Sequence, residues 1–489
     1  MSIQTLVGFA LTVSIFLGVL AIGIRVAPAD LPYVLSRPSR LARSLLAMNV
    51  LYPIVAVMVC KVFSLHPAVM VALVTLAIAP VGAMFSQAML PLVTPGHAAY
   101  ARGLFFASTV LSVILTPLAP NTKGVDFYKR LTDELRANGI EPFGTLYHWD
   151  LPQSLQDKYR GWQSKETARA FADYAGYMAG QPGDRVKHFF TINEFRSFVE
   201  GGYQGFDVQV GGGRKVHLGG APGSQLSNGD LNQVRHHAVL GHGLAVQAIR
   251  ASGRAGTKVG FAENMLTAVP VTETPECVKA AERATRELNA DFTTVMLEGR
   301  YTDDYLTRNG KDAPTFADGE LKTIGSPLDF VGINVYKPII YVMPSDEAAG
   351  YRSIPINTSH PKMQSAWHVF DPECTYWAPH HLQSLWGVKS IFITENGCGA
   401  SDVVGDDGKV YDSDRIMFLR AYLTQLQRAT ADGVPVSGYF LWSAQDNFEW
   451  IDGFGTRFGL VYVDFKTQKR TPKLSAQWFR EAAAHNMVV

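Results

Sequence analysis

The hydrophobic pattern divides the chain into two unlike parts. Residues 1–120 hold four apolar stretches in succession, at 3–26, 41–62, 68–93 and 99–118. Each is near the ~20 residues that an α-helix needs to cross a bilayer. Asp30 is the only acidic residue before position 121. A water-facing helical bundle would carry charge along its outer faces, and this segment does not. The pattern predicts four transmembrane-like helices. The first is too long, and runs too directly into further spans, to be a cleaved signal peptide. Arg25, Arg37, Arg40 and Arg43 fall in the first loop, Lys61 in the second and Arg102 in the third. The positive-inside rule puts the first and third loops in the cytoplasm and everything after the fourth span outside. The expected localisation is membrane-associated if residues 1–120 insert, and cytoplasmic otherwise.

Composition changes at 117–122, PLAPNT. Residues 125–138 then read as an amphipathic helix with Val125, Tyr128, Leu131 and Leu135 on one face, closed by Asn138-Gly139. Beyond it, short β-branched and aromatic runs alternate with helical periods. Strands are predicted at 142–148, 187–193, 258–263, 329–336, 390–394 and 437–442. Helices are predicted at 165–179, 231–251, 276–297, 376–386, 414–430 and 476–484. Strand and helix in alternation predict an α/β domain with a mostly parallel sheet over 121–489.

Two of the strands end on a carboxylate: Phe189-Phe190-Thr191-Ile192-Asn193-Glu194 and Ile391-Phe392-Ile393-Thr394-Glu395. A carboxylate at the end of an apolar strand is costly unless something uses it. Other strands end in His148-Trp149-Asp150, Asn334-Val335-Tyr336 and Trp442-Ser443. In a barrel these ends share the C-terminal face, where active sites lie. Paired carboxylates suit glycoside hydrolysis. Each end taken alone could be a loop or a cap.

The remaining composition mainly excludes. The net charge of +1 gives no argument for nucleic acid. Cys60, Cys277, Cys374 and Cys398 are scattered, which suggests neither a zinc site nor a disulfide framework. His236, His237 and His242 are close in sequence, but in a helix they read as packing and hydrogen-bonding groups. Trp478 reads as a packing residue, and Trp386 as readily so as a ligand contact.

Two resemblances extend this reading. AMNV at 47–50 followed by Pro53, with LAIAPVGA at 76–83, resembles the start of the bile acid:sodium symporter family. Only the first part of such a transporter is present. GIEPFGTLYHWDLP at 139–152, TINE at 191–194, NQVRHH at 232–237 and GINVY at 332–336 resemble glycoside hydrolase family 1, the β-glucosidases. So do ITENG at 393–397, LWSAQDNFEW at 441–450 and RFGLVYVDF at 457–465. That resemblance covers about residues 121–489. It implies a (β/α)8 TIM-barrel-like hydrolase domain that retains anomeric configuration, with Glu395 as nucleophile and Glu194 as general acid/base. Tyr336 would orient the nucleophile. His148, Asn193, Glu449 and Trp450 would bind sugar hydroxyls, and Trp442 would stack under the glycone. Trp149 and Asn334 would lie in the same pocket, with Trp367 at the aglycone entrance. The implied partner is a β-glucoside or short β-linked oligosaccharide, with no metal or organic cofactor and no nucleic acid.

The chain departs from the family pattern in two places. Phe195 follows Glu194 where the family commonly has proline. The family's first two strands, with a sugar-binding glutamine and an arginine beside the nucleophile, have no counterpart before residue 125. Four readings of that gap stay open: an unusual closure of the barrel, a barrel with little activity, completion by a second chain, or a fusion of two unrelated reading frames. Two other function classes also stay open, a vestigial or sugar-binding protein and a membrane transporter fragment.

Overall fold

The computed structural model describes residues 121–489, apart from 182–184, 211–213 and 366, and of the preceding segment only Ser39. The chain divides into two units, Met1–Thr122 and Lys123–Val489. The four predicted apolar helices lie outside the described residues. Among the described residues, no helix is long and apolar enough to cross a membrane.

Six parallel strands form the central sheet: β1 Phe143–Tyr147, β2 His188–Asn193, β3 Lys258–Glu263, β4 Val331–Asn334, β5 Ile391–Asn396 and β6 Val436–Leu441. They pair in chain order, each with the next. All six are the predicted strands: Lys258–Glu263 has the predicted ends, and the others have ends that differ by at most two residues. The principal helices are α1 Thr122–Ala137, α2 Lys165–Gly180, α3 Phe195–Tyr203, α4 Asn228–Ser252, α5 Pro275–Leu288, α6 Cys374–Trp386, α7 Ser413–Ala431 and α8 Leu474–His485. Strand, crossover helix and parallel strand is the repeat of a (β/α) barrel.

The sheet is curled. Phe143 on β1 and Phe440 on β6, the two edge strands, have ring centroids 5.1 Å apart. Both pack on a cluster made by Phe190, Ala262, Phe330 and Phe392. Inward-facing residues of the first and last strands therefore meet over a shared apolar floor. Above that floor, the C-terminal ends of the strands carry polar groups: Asn193, Glu263, Asn334, Glu395 and Asn396.

Two expectations need correction. On α1, Val125 is buried, but Tyr128 is 53% exposed and Leu131 43%. Among the described residues β1 is an edge of the sheet, so little described strand surface lies beside that face of the helix. The single helix predicted over 276–297 is two, α5 and Thr293–Glu298. Asn289 interrupts it. Its side-chain amide donates to the carbonyls of Thr285 and Leu266, and its Oδ1 accepts from the Leu266 N–H. Asn side chains that bond backbone in this way compete with helix continuation.

Candidate active site

Glu194 and Glu395 both line a cavity of about 800 Å³ at the polar end of the sheet. The other nine predicted site residues line it too: Tyr336, His148, Trp149, Asn193, Asn334, Trp367, Trp442, Glu449 and Trp450. Trp386 and Trp478 do not. They are half-buried packing residues whose indole N–H groups donate to Glu298 and to the Val489 carbonyl. The helical histidines also serve structure. His236 bonds Tyr301 and Glu320, His237 bonds the Trp162 carbonyl, and His242 bonds Thr191.

Glu194 stands where β2 turns into α3. Its φ of 45° lies in the left-handed region, which a non-glycine residue seldom adopts. Trp149 and Trp450, also at the cavity, have φ of 79° and 30°. Strain of this kind persists where surrounding contacts hold it. At Glu194 the helix start is held by a second carboxylate. Glu263, at the end of β3, accepts the N–H of Phe195 at 2.5 Å. Glu194 does not cap the helix itself, and its side chain stays turned to the cavity.

One Glu194 oxygen accepts from Asn334 Nδ2 at 2.8 Å and the other from Ser197 Oγ at 2.7 Å. Asn264 donates to that same Ser197 oxygen at 2.9 Å. Asn334 also donates to Asn193, and its own oxygen accepts from Thr394. Glu395 accepts from the Tyr336 hydroxyl at 2.9 Å. The Tyr336 backbone carbonyl is gripped in turn by His368 Nε2 and the Tyr422 hydroxyl.

Burial raises the pKa of Glu194, against the opposing bonds from Asn334 and Ser197. Burial, and the charge on Glu194 whenever that group is ionised, push the pKa of Glu395 well above its ordinary value, and bonds from Tyr336 and Asn334 oppose that rise. The two carboxyls therefore titrate as a pair, in which ionising one holds the proton on the other. Glu263 beside them is pushed up to about 8 by burial, with Arg196 opposing. A cavity with two interacting carboxyls can hold one proton and one negative charge near neutral pH, as acid–base chemistry requires.

Removing the Tyr336 hydroxyl tests this coupling. Tyr336→Phe deletes a bond that favours ionised Glu395, so the pKa of Glu395 rises and less of it is ionised at neutral pH. The acid limb of the kcat/KM profile should move upward. Activity at pH 7 should fall about 10- to 100-fold, the range of one hydrogen bond to a charge. An unshifted acid limb would mean that the bond does not act on the titrating group.

The walls are aromatic. His148 stacks on Trp442, with ring centroids 5.8 Å apart, and Trp149 lies 4.5 Å from Trp450. Trp442 Nε1 donates to Glu449 at 3.2 Å, which fixes both. Trp149 Nε1 donates to the Asn193 carbonyl. Burial lowers the pKa of His148, so the ring is neutral at pH 7. Trp367 is 42% exposed and meets Tyr336 edge-on at the rim. The loop bearing Glu449 and Trp450 is anchored from below. The two Asp446 oxygens accept from Lys473, Arg457 and the backbone N–H groups of Gly459 and Val463.

Sequence reasoning missed Ser197, Asn264 and Glu263. The strand-end logic that singled out Glu194 applies equally to β3, which ends on Glu263 just before Asn264. Ser197 lies one helical turn after Glu194 and carries no signal of its own.

Fold and site together define a barrel-type α/β protein with a carboxyl pair in an aromatic-walled cavity at the barrel mouth. The Glycosyl hydrolase family 1 profile matches residues 117–488. The chain belongs to that family. Its described six-stranded sheet is a half-barrel form of the family's (β/α)8 fold. The Sodium Bile acid symporter family profile matches residues 12–128. Beta-glucosidase A of Acetivibrio thermocellus is 37% identical over 369 residues, covering 75% of this chain and 79% of that protein. A bifunctional beta-D-glucosidase/beta-D-fucosidase of Bifidobacterium breve is 35% identical over 401 residues, covering 78% and 83%. The solved beta-glucosidase of Thermotoga maritima in complex with deoxynojirimycin matches with a TM-score of 0.65 and 33% identity, over 76% of this chain and 80% of that one.

Proposed function

We propose that this protein is a retaining β-glucosidase that removes terminal β-D-glucosyl residues through a glycosyl-enzyme ester. Glu395 is the nucleophile and Glu194 the general acid/base. The observation that carries the reading is the coupled pair itself: two buried carboxyls joined through Asn334, one bonded by Tyr336 and the other by Ser197. In the first step Glu395 attacks the anomeric carbon. The glycosidic C–O bond breaks, and Glu194 gives its proton to the leaving oxygen. Esterification removes the Glu395 charge, so the pKa of Glu194 falls and it can take a proton from water. Water then displaces Glu395 and the anomeric configuration is restored. Trp442 offers a flat apolar face to the sugar C–H groups. His148, Asn193, Glu449 and Trp450 offer polar atoms to its hydroxyls, and Trp149 completes that wall. Trp367 at the rim faces the aglycone. The test is proton NMR of aryl β-glucoside hydrolysis. β-Glucose should appear first and mutarotate later; α-glucose first, or no turnover, would overturn the reading.

We further propose that residues 1–120 form a hydrophobic helical domain of about four transmembrane-like helices ahead of the hydrolase domain at 121–489. Its hydropathy and the symporter-family match support this. The full chain should then stay in the membrane pellet after alkaline carbonate extraction. Release into the supernatant would argue for a cytoplasmic protein.

A further inference from the structure

Away from the cavity, the outer helices α5 and α6 bring three donor groups together. Glu282 on α5 and His380 and His381 on α6 each place a ligand-type atom within 4.8 Å of the other two. None of the three lines the sugar cavity.

The hydrogen-bond arrangement at His381 is informative. The residue is fully buried, and its Nε2 lies 2.9 Å from the carbonyl oxygen of Ala268. A carbonyl can only accept, so Nε2 carries the hydrogen and Nδ1 carries the lone pair. That Nδ1 is buried and has no hydrogen-bond partner, and Nδ1 of His380 is in the same condition. Buried polar atoms usually find a partner, so the bare nitrogens on these two adjacent residues are open to a ligand. An imidazole that donates one N–H to a backbone carbonyl and presents the other nitrogen bare is arranged as metal-bound histidines are.

The rings have little freedom to turn away. His381 stacks on Trp377 and His380 on Tyr376, with ring centroids 5.6 and 5.8 Å apart. Consecutive helical residues point about 100° apart, yet a nitrogen of each ring still comes within 4.8 Å of one on the other. Glu282, reaching across from the neighbouring helix, closes the set.

We propose that Glu282, His380 and His381 form a binding site for a divalent transition metal, with water in a fourth position, that staples α5 to α6. Two imidazoles and one carboxylate suit Zn²⁺, Ni²⁺ or Cu²⁺ and do not suit Ca²⁺ or Mg²⁺, which take oxygen. Ligand atoms on a tetrahedral zinc, bonded at about 2.1 Å, stand about 3.4 Å apart. Closing to that spacing needs movements of about 1 Å, which the half-buried Glu282 and His380 side chains can make while Ala268 holds His381. The staple would join segments far apart in sequence, so its expected effect is on stability.

The test uses the full chain, stripped with chelator and titrated with ZnCl₂ by calorimetry, alongside wild-type and variant thermal unfolding. One Zn²⁺ should bind per chain. The unfolding midpoint should rise by about 3 °C when zinc exceeds Kd a hundredfold. Glu282→Gln and His380→Ala remove ligands without opening the core, and each should weaken binding at least about 10-fold. Cu²⁺ bound at the same site should show two nitrogen couplings by electron paramagnetic resonance, and one coupling in His380→Ala. Absence of stoichiometric binding would overturn the proposal. So would binding of unchanged affinity in both folded variants, which would place the metal elsewhere.

Discussion

Glu395→Ala should lower kcat for an aryl β-glucoside by about 10⁴-fold or more, roughly 5 kcal/mol on the barrier. The loss is large because no described neighbour can replace the group. Tyr336 is bonded to Glu395 and held at its backbone from behind, so it cannot advance on the anomeric carbon. Glu194 is held by Asn334 and Ser197, and in the proposed mechanism it is committed to protonating the leaving oxygen. Truncation to alanine also opens a small space on the nucleophile's side of the sugar. Azide added to this variant should enter there and restore turnover, giving α-glucosyl azide in a single inverting displacement. The removal of the Glu395 charge should also lower the pKa of Glu194, since a neighbouring negative charge disfavours ionisation of a carboxyl. The basic limb of the rescued reaction should therefore move down. Unchanged hydrolysis in Glu395→Ala, or rescue that gives the β-azide, would remove Glu395 from the nucleophile's role.

The strands that carry these residues were legible because they are buried on both faces. A run such as Ile391-Phe392-Ile393 has no polar position to confuse its reading, and a polar group at its end stands out. The helices were legible wherever local periodicity and packing agree. They were misread where tertiary contacts decide. Asn289 looks tolerable inside a helical period, and only the Leu266 backbone across from it explains why the helix stops there. The apolar face of α1 follows the rule for amphipathic helices, yet Tyr128 and Leu131 are exposed where the described sheet ends at β1. The hairpin Phe206–Val210 and Arg214–Leu218, and the small sheet built from Ala268–Pro270, Ile340–Pro344 and Tyr351–Ile354, are too short to announce themselves by pattern. At the site, the groups that touch the sugar in the proposed mechanism could be read from motifs. Ser197 and Glu263, which hold those groups, act through contacts that only the folded chain creates.

The same division between chemistry and support shapes the second large effect. Glu194→Gln keeps the hydrogen-bonding shape of the side chain but not its proton. For an alkyl glucoside, whose leaving oxygen must be protonated, kcat/KM should fall by about 10²- to 10⁴-fold, the usual contribution of a positioned acid. For a dinitrophenyl glucoside, whose leaving group departs unaided, the first step should survive. The second step loses its base, so the glycosyl-enzyme should accumulate and product should appear as a burst of one equivalent per chain. Azide should again restore turnover, but by attacking the ester on the face Glu194 serves, and should give the β-azide. The opposite anomer from each variant is the decisive contrast, because it assigns the two carboxyls to opposite faces of the sugar without reference to rate. The basic limb of the pH profile should vanish with Glu194. In Ser197→Ala that limb should persist and move upward, since Ser197 donates to Glu194 and opposes the rise that burial causes. Loss of the limb in Glu194→Gln together with its upward shift in Ser197→Ala would tie it to one proton on one carboxyl. An identical limb in both variants would mean that another group, such as Glu263, controls it.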